Sequence, residues 1–466
     1  VLAGGHPGRL LRLTTSGREA LAELLDTGPS TDAARRLGRR LVDAGMAHPV
    51  AAPGTRRDAA GVTVVIPVRD RAELLERCLA SLGGSSPVVV VDDGSDDRQA
   101  VADACRGHGA VVITRSVNGG PAVARNEALA HVGTELVAFL DSDCVAGPEW
   151  LEGLVGLFDD PTVGAVAPRV RPVGGQRSLR SRYLDARSPL DMGTAPGPVG
   201  PGRRVRYVPA AALVVRRRAL AEGPGFDPDL RVGEDVDRIW RLVGDGWRVR
   251  YVPSVEIGHH EPGSWRALLA RRLRYGTSAG PLAVRHPGRL APVELRPWAT
   301  VGAVALLAGY PRTAAAVTVA SGAVLARAVR PLGVPIGLAF RWGFEGTGWT
   351  VVGLGRAATV LAGPALVAGA LVGGRSRRGR RLRRASLALA VAPPLVEWWQ
   401  RRPDLDPVRW VAASFVDDVS YGAGVWLGAI RARTLGPLLP VIVTGDGSSG
   451  RDDPAESGEV GEPRPE

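Results

Sequence analysis

The stretch Leu136-Val-Ala-Phe-Leu-Asp-Ser-Asp-Cys144 does most to limit what this chain can be. Five apolar residues end in two carboxylates one residue apart, the pattern of a buried strand that stops at a functional edge. Strand side chains alternate, so Asp141 and Asp143 can face one point beyond the strand's carboxyl end. Open α/β sheets bind ligands at that edge. Two oxygen donors aimed there suit a hard divalent cation, Mg²⁺ or Mn²⁺, which in turn holds phosphates. An isolated Asp-x-Asp more often marks a solvated turn. The flanking segments decide between the two.

From residue 62 the chain alternates apolar strands and amphipathic helices. Val62–Pro67, Val88–Val91 and Ala110–Thr114 read as strands before the one at 136–140. A helix with Leu74, Leu75, Cys78, Leu79 and Leu82 on one face follows the first, and another runs through Ala100–Cys105. Asn118-Gly119-Gly120-Pro121 opens a third, with Pro121 in its first turn. This order predicts an α/β fold: a parallel, Rossmann-like sheet with helices on both faces. No Gly-x-Gly-x-x-Gly follows the first strand and no Gly-Lys-Ser/Thr occurs, which argues against dinucleotide enzymes and P-loop NTPases. The strand ends carry acids instead: Asp92 and Asp93 after the second, Asp141 and Asp143 after the fourth. Such carboxylates accept from a base N–H or from ribose hydroxyls. Arg69, Arg71 and Arg125 can offset their charge.

The following half is less regular. Val163–Ala167, Ala211–Val215 and Val249–Val252 read as strands, and the Pro-, Gly- and Arg-rich 171–206 as loop. Gly233-Glu234-Asp235 opens a helix, where anions are electrostatically favoured. In a cleft facing a metal-diphosphate this acidic pair offers a general base. His259 or His260 could complete a metal site or touch the diphosphate. Arg266, Arg271, Arg272 and Arg274 interleave with leucines in a basic helix ending at Tyr275-Gly276, suited to a diphosphate or to anionic lipid.

The flanks differ in composition. Residues 1–57 predict a small helical, winged-helix-like module, either a recognition unit for a peptide-derived substrate or a packing appendage; a linker covers Ala51–Ala60. Beyond Trp298 four apolar runs, 299–328, 350–373, 386–398 and 422–443, predict a helical, membrane-associated region over 296–443, although each carries Pro or Arg. Seven Arg in the ten residues Arg375–Arg384 suit a cytoplasmic loop. The acidic, Gly/Ser/Pro-rich 444–466 reads as a disordered tail. The catalytic unit is expected over 62–285, on the cytoplasmic side of the membrane. The start of the chain shows no leader pattern, and three scattered cysteines fit reduced thiols. The formal charge is +12, with Arg at every basic position. No Arg/aromatic stripe accompanies it, so no nucleic-acid partner is expected.

Four signals thus stand in order: Val65-Ile-Pro-Val-Arg69, Asp92-Asp-Gly-Ser95, Asn118-Gly-Gly-Pro-Ala-Val-Ala-Arg-Asn126 and Phe139-Leu-Asp-Ser-Asp143. With Gly233-Glu-Asp235 they resemble the family-2 glycosyltransferases of GT-A fold, over about 62–280. The segment Gly4-Gly-His-Pro-Gly-Arg-Leu-Leu-Arg-Leu13, with Arg271-Arg-Leu-Arg-Tyr-Gly-Thr-Ser-Ala-Gly280 and the apolar last third, is similar to the actinobacterial glycosyltransferases of the mycofactocin system. The resemblance implies that Pro67, Arg69, Asp92 and Asp93 hold the nucleoside of a nucleotide-sugar donor. Arg125 and Glu234 would lie near the sugar or diphosphate, Asp141 would bind metal and donor, and Asp143 would be the metal ligand with His259 beside it. Asp235 would be the base of an inverting displacement. The processive members' Gln/Arg-x-x-Arg-Trp motif is matched only in part at Arg271–Tyr275, with Tyr in place of Trp. The implied acceptor is a small peptide-derived redox cofactor, glycosylated from UDP-glucose. A cell-envelope transferase acting on a lipid-linked acceptor and an inactive sugar-nucleotide-binding scaffold are the competing readings.

Overall fold

The computed structural model describes residues 1–6, 8–50, 61–84, 86–174, 178–221, 223, 225–372 and 376–443. The linker 51–60, Arg375 and the tail 444–466 lie outside them. The first residues form a hairpin, β1 (Leu2–Gly4) and β2 (Arg9–Leu11), before helices α1 (Thr15–Asp26) and α2 (Asp32–Asp43). The Thr14 and Thr31 hydroxyls cap the two helices by accepting from Gly17 N and Ala34 N. The module therefore contains a hairpin that leucine spacing alone did not reveal. It is docked by Asp43, whose two carboxylate oxygens each accept from Arg248 at 2.8 Å.

The central sheet then assembles from β3 (Val62–Val68), β4 (Val88–Asp92), β5 (Val111–Thr114), β6 (Leu136–Leu140) and β7 (Cys144–Val145), with α3 (Ala72–Ala80), α4 (Arg98–Arg106), α5 (Pro121–Leu129) and α6 (Glu152–Val155) between and after them. It continues through β8 (Val163–Pro172), α7 (Leu179–Arg187), β9 (Gly197–Pro198), β10 (Ala212–Arg216), α8 (Arg217–Ala221), α9 (Glu234–Gly244) and β11 (Arg248–His259). The nine strands run in the order β5-β4-β3-β6-β10-β8-β11-β7, with β9 paired to β11. β5, β4, β3 and β6 are parallel, while β10 is antiparallel to both β6 and β8. The parallel half answers to strands buried on both faces: every residue of β6 is buried. The mixed half corrects the sequence reading. β8 and β11 are longer than their apolar centres, and the 171–206 loop contains α7 and β9. Strand order reverses between β3 and β6, and the crevice beyond their carboxyl ends is where ligands gather in such sheets.

Helices α10 (Trp265–Gly276) and α11 (Ala279–Arg285) lead to β12 (Glu294–Leu295) and a helical region of α12 (Pro297–Leu307), α13 (Pro311–Val329), α14 (Ile336–Val372), α15 (Arg377–Arg401) and α16 (Pro407–Arg431). A short strand, β13 (Val441–Ile442), closes it against β12. The run 299–328 is divided between α12 and α13, and α14 kinks at Ala362, ahead of Pro364. Among the described residues, two helices are long and apolar enough to cross a membrane, Pro311–Leu332 and Ile336–Val372, with mean hydropathy 1.3 and 1.6. The runs 386–398 and 422–443 do not reach that standard.

α16 crosses α10 and α11 backbone to backbone. A Cβ on Gly280 would lie 2.0 Å from the Gly428 carbonyl oxygen, and one on Gly428 would lie 2.3 Å from that of Thr277. Only glycine permits this approach. Gly428→Ala is expected to cost about 1–3 kcal/mol through overpacking, read as a lowered midpoint in thermal unfolding of the full chain.

Candidate active site

A cleft of about 1400 Å³ opens at the carboxyl ends of β3 and β6. Pro67 and Arg69 line it from the end of β3, Asp141 and Asp143 from the end of β6, and Glu234 and Asp235 from the start of α9. The α9 start is set by Gly233, at φ +83°, where a Cβ would meet Ser278 Cβ at 2.8 Å. His259, the last residue of β11, closes the far side.

Arg125, on α5, is the hub. It is 3% exposed and donates from Nη2 to Asp141 and from Nη1 to Glu234, both at 2.8 Å. One buried cation thus ties the strand-end acid to the helix-start acid, residues 93 positions apart in sequence. Arg125→Leu leaves both carboxylates without that partner. The expected loss is about 3–5 kcal/mol of stability, measured by denaturant unfolding, with partial recovery when Glu234→Gln is added.

Asp143 sits between two cations. Its Oδ2 accepts from Arg71 Nη1, and its Oδ1 lies 3.4 Å from His259 Nε2. Burial would raise this carboxyl, but His259 and Arg71 outweigh it and hold it at about 2. Burial likewise opposes protonation of His259, yet Asp143 and Glu261 bring it up to about 9. Glu261 accepts from Ser188 Oγ at 2.8 Å and from Arg271. Asp141 is shifted upward, by enclosure first and by Asp143 against the pull of Arg125. Burial, with Asp235 alongside, pushes Glu234 up to about 7. Asp235 is also raised by burial; its Oδ2 accepts from Ala210 N at 3.3 Å. A carboxylate so raised is a stronger base.

The two acids after β4 differ. Asp92 is fully buried and does not line the cleft; its Oδ1 accepts from Ser95 N at 2.9 Å. Asp93 lines the cleft, but Oδ1 already accepts from Gly119 N at 2.8 Å and Oδ2 from Gly120 N at 2.6 Å, with Arg115 Nε at 3.0 Å. It clamps the glycine turn that starts α5. Arg69 pairs with Asp70 at 3.2 Å and remains about half exposed. His260 also lines the cleft, and its backbone N donates to the Asp143 carbonyl at 2.8 Å.

Among the described residues, no three His, Cys, Asp or Glu side chains form a metal cage. Asp143, with Asp141 two residues before it, offers a partial shell of carboxylate oxygens, to which His259 would add an imidazole nitrogen only after losing its proton. Such a set fits Mg²⁺ or Mn²⁺ completed by phosphate and water. Sequence reasoning missed Glu261, Tyr207 and Tyr421. Glu261 adjoins the His pair and could have been found there; the two tyrosines reach the cleft only through the fold.

Residues 63–221 match the model of glycosyl transferase family 2. The chain belongs to that family, and it is a glycosyltransferase. Along nearly its whole length it is similar to the pre-mycofactocin glycosyltransferase of Mycobacterium tuberculosis: 38% identical over 456 residues, 95% of this chain and 94% of the relative. The N-acetylglucosaminyl-diphospho-decaprenol L-rhamnosyltransferase of the same organism is 28% identical over 220 residues, covering 40% of this chain and 72% of that one. Among solved structures, a mannosyltransferase from Pyrobaculum calidifontis in complex with GDP-Man and Mn²⁺ aligns with a TM-score of 0.40 at 21% identity, over 78% of this chain and 93% of that one.

Proposed function

We propose that this protein transfers a hexose, glucose from UDP-glucose, to a hydroxyl of pre-mycofactocin by an inverting single displacement. The similarity to the pre-mycofactocin enzyme over 95% of the chain carries this reading. The lipid-linked alternative draws on a relative matching only 40% of it. In this reading Pro67, Arg69 and Asp93 border the nucleoside, and Asp92 and Asp93 act chiefly by fixing the turns around it. Asp143 is the metal ligand, with Asp141 and His259 beside it. A bound Mg²⁺ or Mn²⁺ supplies charge stabilisation for the departing diphosphate.

Asp235 takes the proton from the acceptor hydroxyl. The acceptor oxygen then forms its bond to the anomeric carbon from the face opposite the diphosphate. The bond from that carbon to the diphosphate oxygen breaks, and its electron pair leaves with the diphosphate. Arg125 keeps Glu234 and Asp141 from repelling the donor, while Arg71 lies where it can meet diphosphate charge. The same reading seats α13 and α14 in the bilayer, supported by their length and by large exposed apolar residues such as Phe344, Trp349 and Leu371. The arginines from Arg377 to Arg384 then face the cytoplasmic headgroups.

The test is mass spectrometry of pre-mycofactocin incubated with the protein, UDP-glucose and Mn²⁺. One or more added hexoses, absent with EDTA, is the expected result. Metal-dependent hydrolysis of UDP-glucose with no hexose on pre-mycofactocin would overturn the acceptor assignment.

A further inference from the structure

The cleft does not belong to the α/β part alone. Tyr421, on α16, lines it together with Tyr207 and Tyr275. A volume of about 1400 Å³ exceeds the roughly 300–1,000 Å³ that one small ligand usually fills. Room therefore remains beside a nucleotide-sugar. Donor-side groups, Pro67, Arg69 and Asp93, stand at the ends of the parallel strands. The three tyrosines stand on the α10 and α16 side, and Asp235 acts electrostatically on both Tyr207 and Tyr275. Among the described residues, none hydrogen-bonds the hydroxyls of these three tyrosines, so each can serve a ligand.

This wall is fixed in place. Arg272 stacks over the Tyr421 ring, with its guanidinium carbon 4.9 Å from the centroid, and donates to Asp417 at 2.7 Å. Asp417 is 3% exposed and also accepts from Tyr183 at 3.0 Å and Arg187 at 3.1 Å. The glycine crossing of α16 on α10 and α11 holds the helix itself. Asp417 balances Arg272, so the ring of Tyr421 is held by a neutralised cation, and the wall offers aromatic faces and hydroxyls beside the exposed Arg274. Such faces bind rings by stacking.

We propose that Tyr421, with Tyr207, forms the acceptor subsite, and that it takes a ring-bearing acceptor, sugar or aromatic, whose hydroxyl is turned to Asp235. The C-terminal helical region is then part of the substrate site. This assignment rests on the transferase reading above but not on the identity of the acceptor. In the test, wild type with Mn²⁺ and UDP-glucose is offered pre-mycofactocin, 4-nitrophenyl β-glucoside and a polyprenyl phosphate. With whichever ring acceptor is used, Tyr421→Ala and Tyr207→Ala are expected to raise its KM about tenfold or more. kcat should change much less, and UDP affinity should stay near that of wild type. Tyr421→Phe, which keeps the ring and loses only the hydroxyl, should recover most of the KM change seen in Tyr421→Ala. If Tyr421→Ala loses UDP binding through misfolding, Tyr207→Ala decides. Unchanged acceptor KM in the alanine variants that still bind UDP would overturn the proposal, as would transfer to the polyprenyl phosphate alone. Transfer to the glucoside but not to pre-mycofactocin, with KM raised in the variants, would support the subsite while removing the acceptor proposed above.

Discussion

Asp235→Asn is expected to lower kcat by about 10²–10⁴ with UDP affinity nearly unchanged. The amide keeps the shape of the side chain but cannot take the acceptor's proton. Stability should not fall. The folded-state pKa of Asp235 is raised by burial, so the folded chain holds that proton more tightly than the unfolded chain. Ionisation of Asp235 therefore costs stability at every pH above its unfolded value. The neutral amide removes that cost, and a thermal midpoint at or above wild type at pH 7 is the companion result. A variant with wild-type kcat would show that another group takes the proton.

Asp143→Ala is expected to lower kcat/KM by about 10³ or more and to make the residual UDP binding indifferent to metal. Its pH signature differs from that of Asp235→Asn. In the metal-free protein His259 is held up to about 9 by Asp143 and Glu261 despite burial. A base raised in this way stabilises the fold fully below its unfolded value, near 6.5, and loses that contribution as the pH rises through 9. Removing Asp143 takes away one of the two acids. The fall in stability of EDTA-treated protein between those two values should be shallower in Asp143→Ala than in wild type. Equal slopes would place the charge of His259 elsewhere.

These residues were legible in sequence for a physical reason. β6 is buried on both faces, so it reads as an unbroken apolar run that stops at Asp141; the tight turn after it, closed by Cys144 N donating to the Asp141 carbonyl, rather than strand alternation, brings Asp141 and Asp143 to the cleft. Glu234 and Asp235 stand at a helix start marked by Gly233. Legibility ends where partners are distant. Nothing near Asp93 says that its two oxygens accept from Gly119 and Gly120, so its clamp on that turn, added to its place in the cleft, is not visible in the sequence. α7 was hidden in a Pro-, Gly- and Arg-rich loop because its anchors lie far along the chain: Arg187 pairs with Asp418, 231 residues away. The extended ends of β8 and β11 carry Arg, Pro and Glu, and pairing with each other keeps them in the sheet against their composition. Tyr421 had no local signal, since it reaches the cleft only through the glycine crossing. The basic helix at 266–276 reads as a surface for diphosphate or lipid; Arg271, Arg272 and Arg274 line the cleft, and the partners of the first two, Glu261 and Asp417, are not visible in the local sequence.

On the reading proposed above, the cleft at the ends of β3 and β6 is a metal-dependent nucleotide-sugar site. Calorimetric titration of the full chain with UDP-, GDP- and dTDP-hexoses, in Mn²⁺ and again in EDTA, tests it most directly. The expected result is binding of UDP-glucose in Mn²⁺ that is lost in EDTA and lost in Asp143→Ala. Binding of no nucleotide-sugar by folded protein, or equal binding with and without metal, would contradict it.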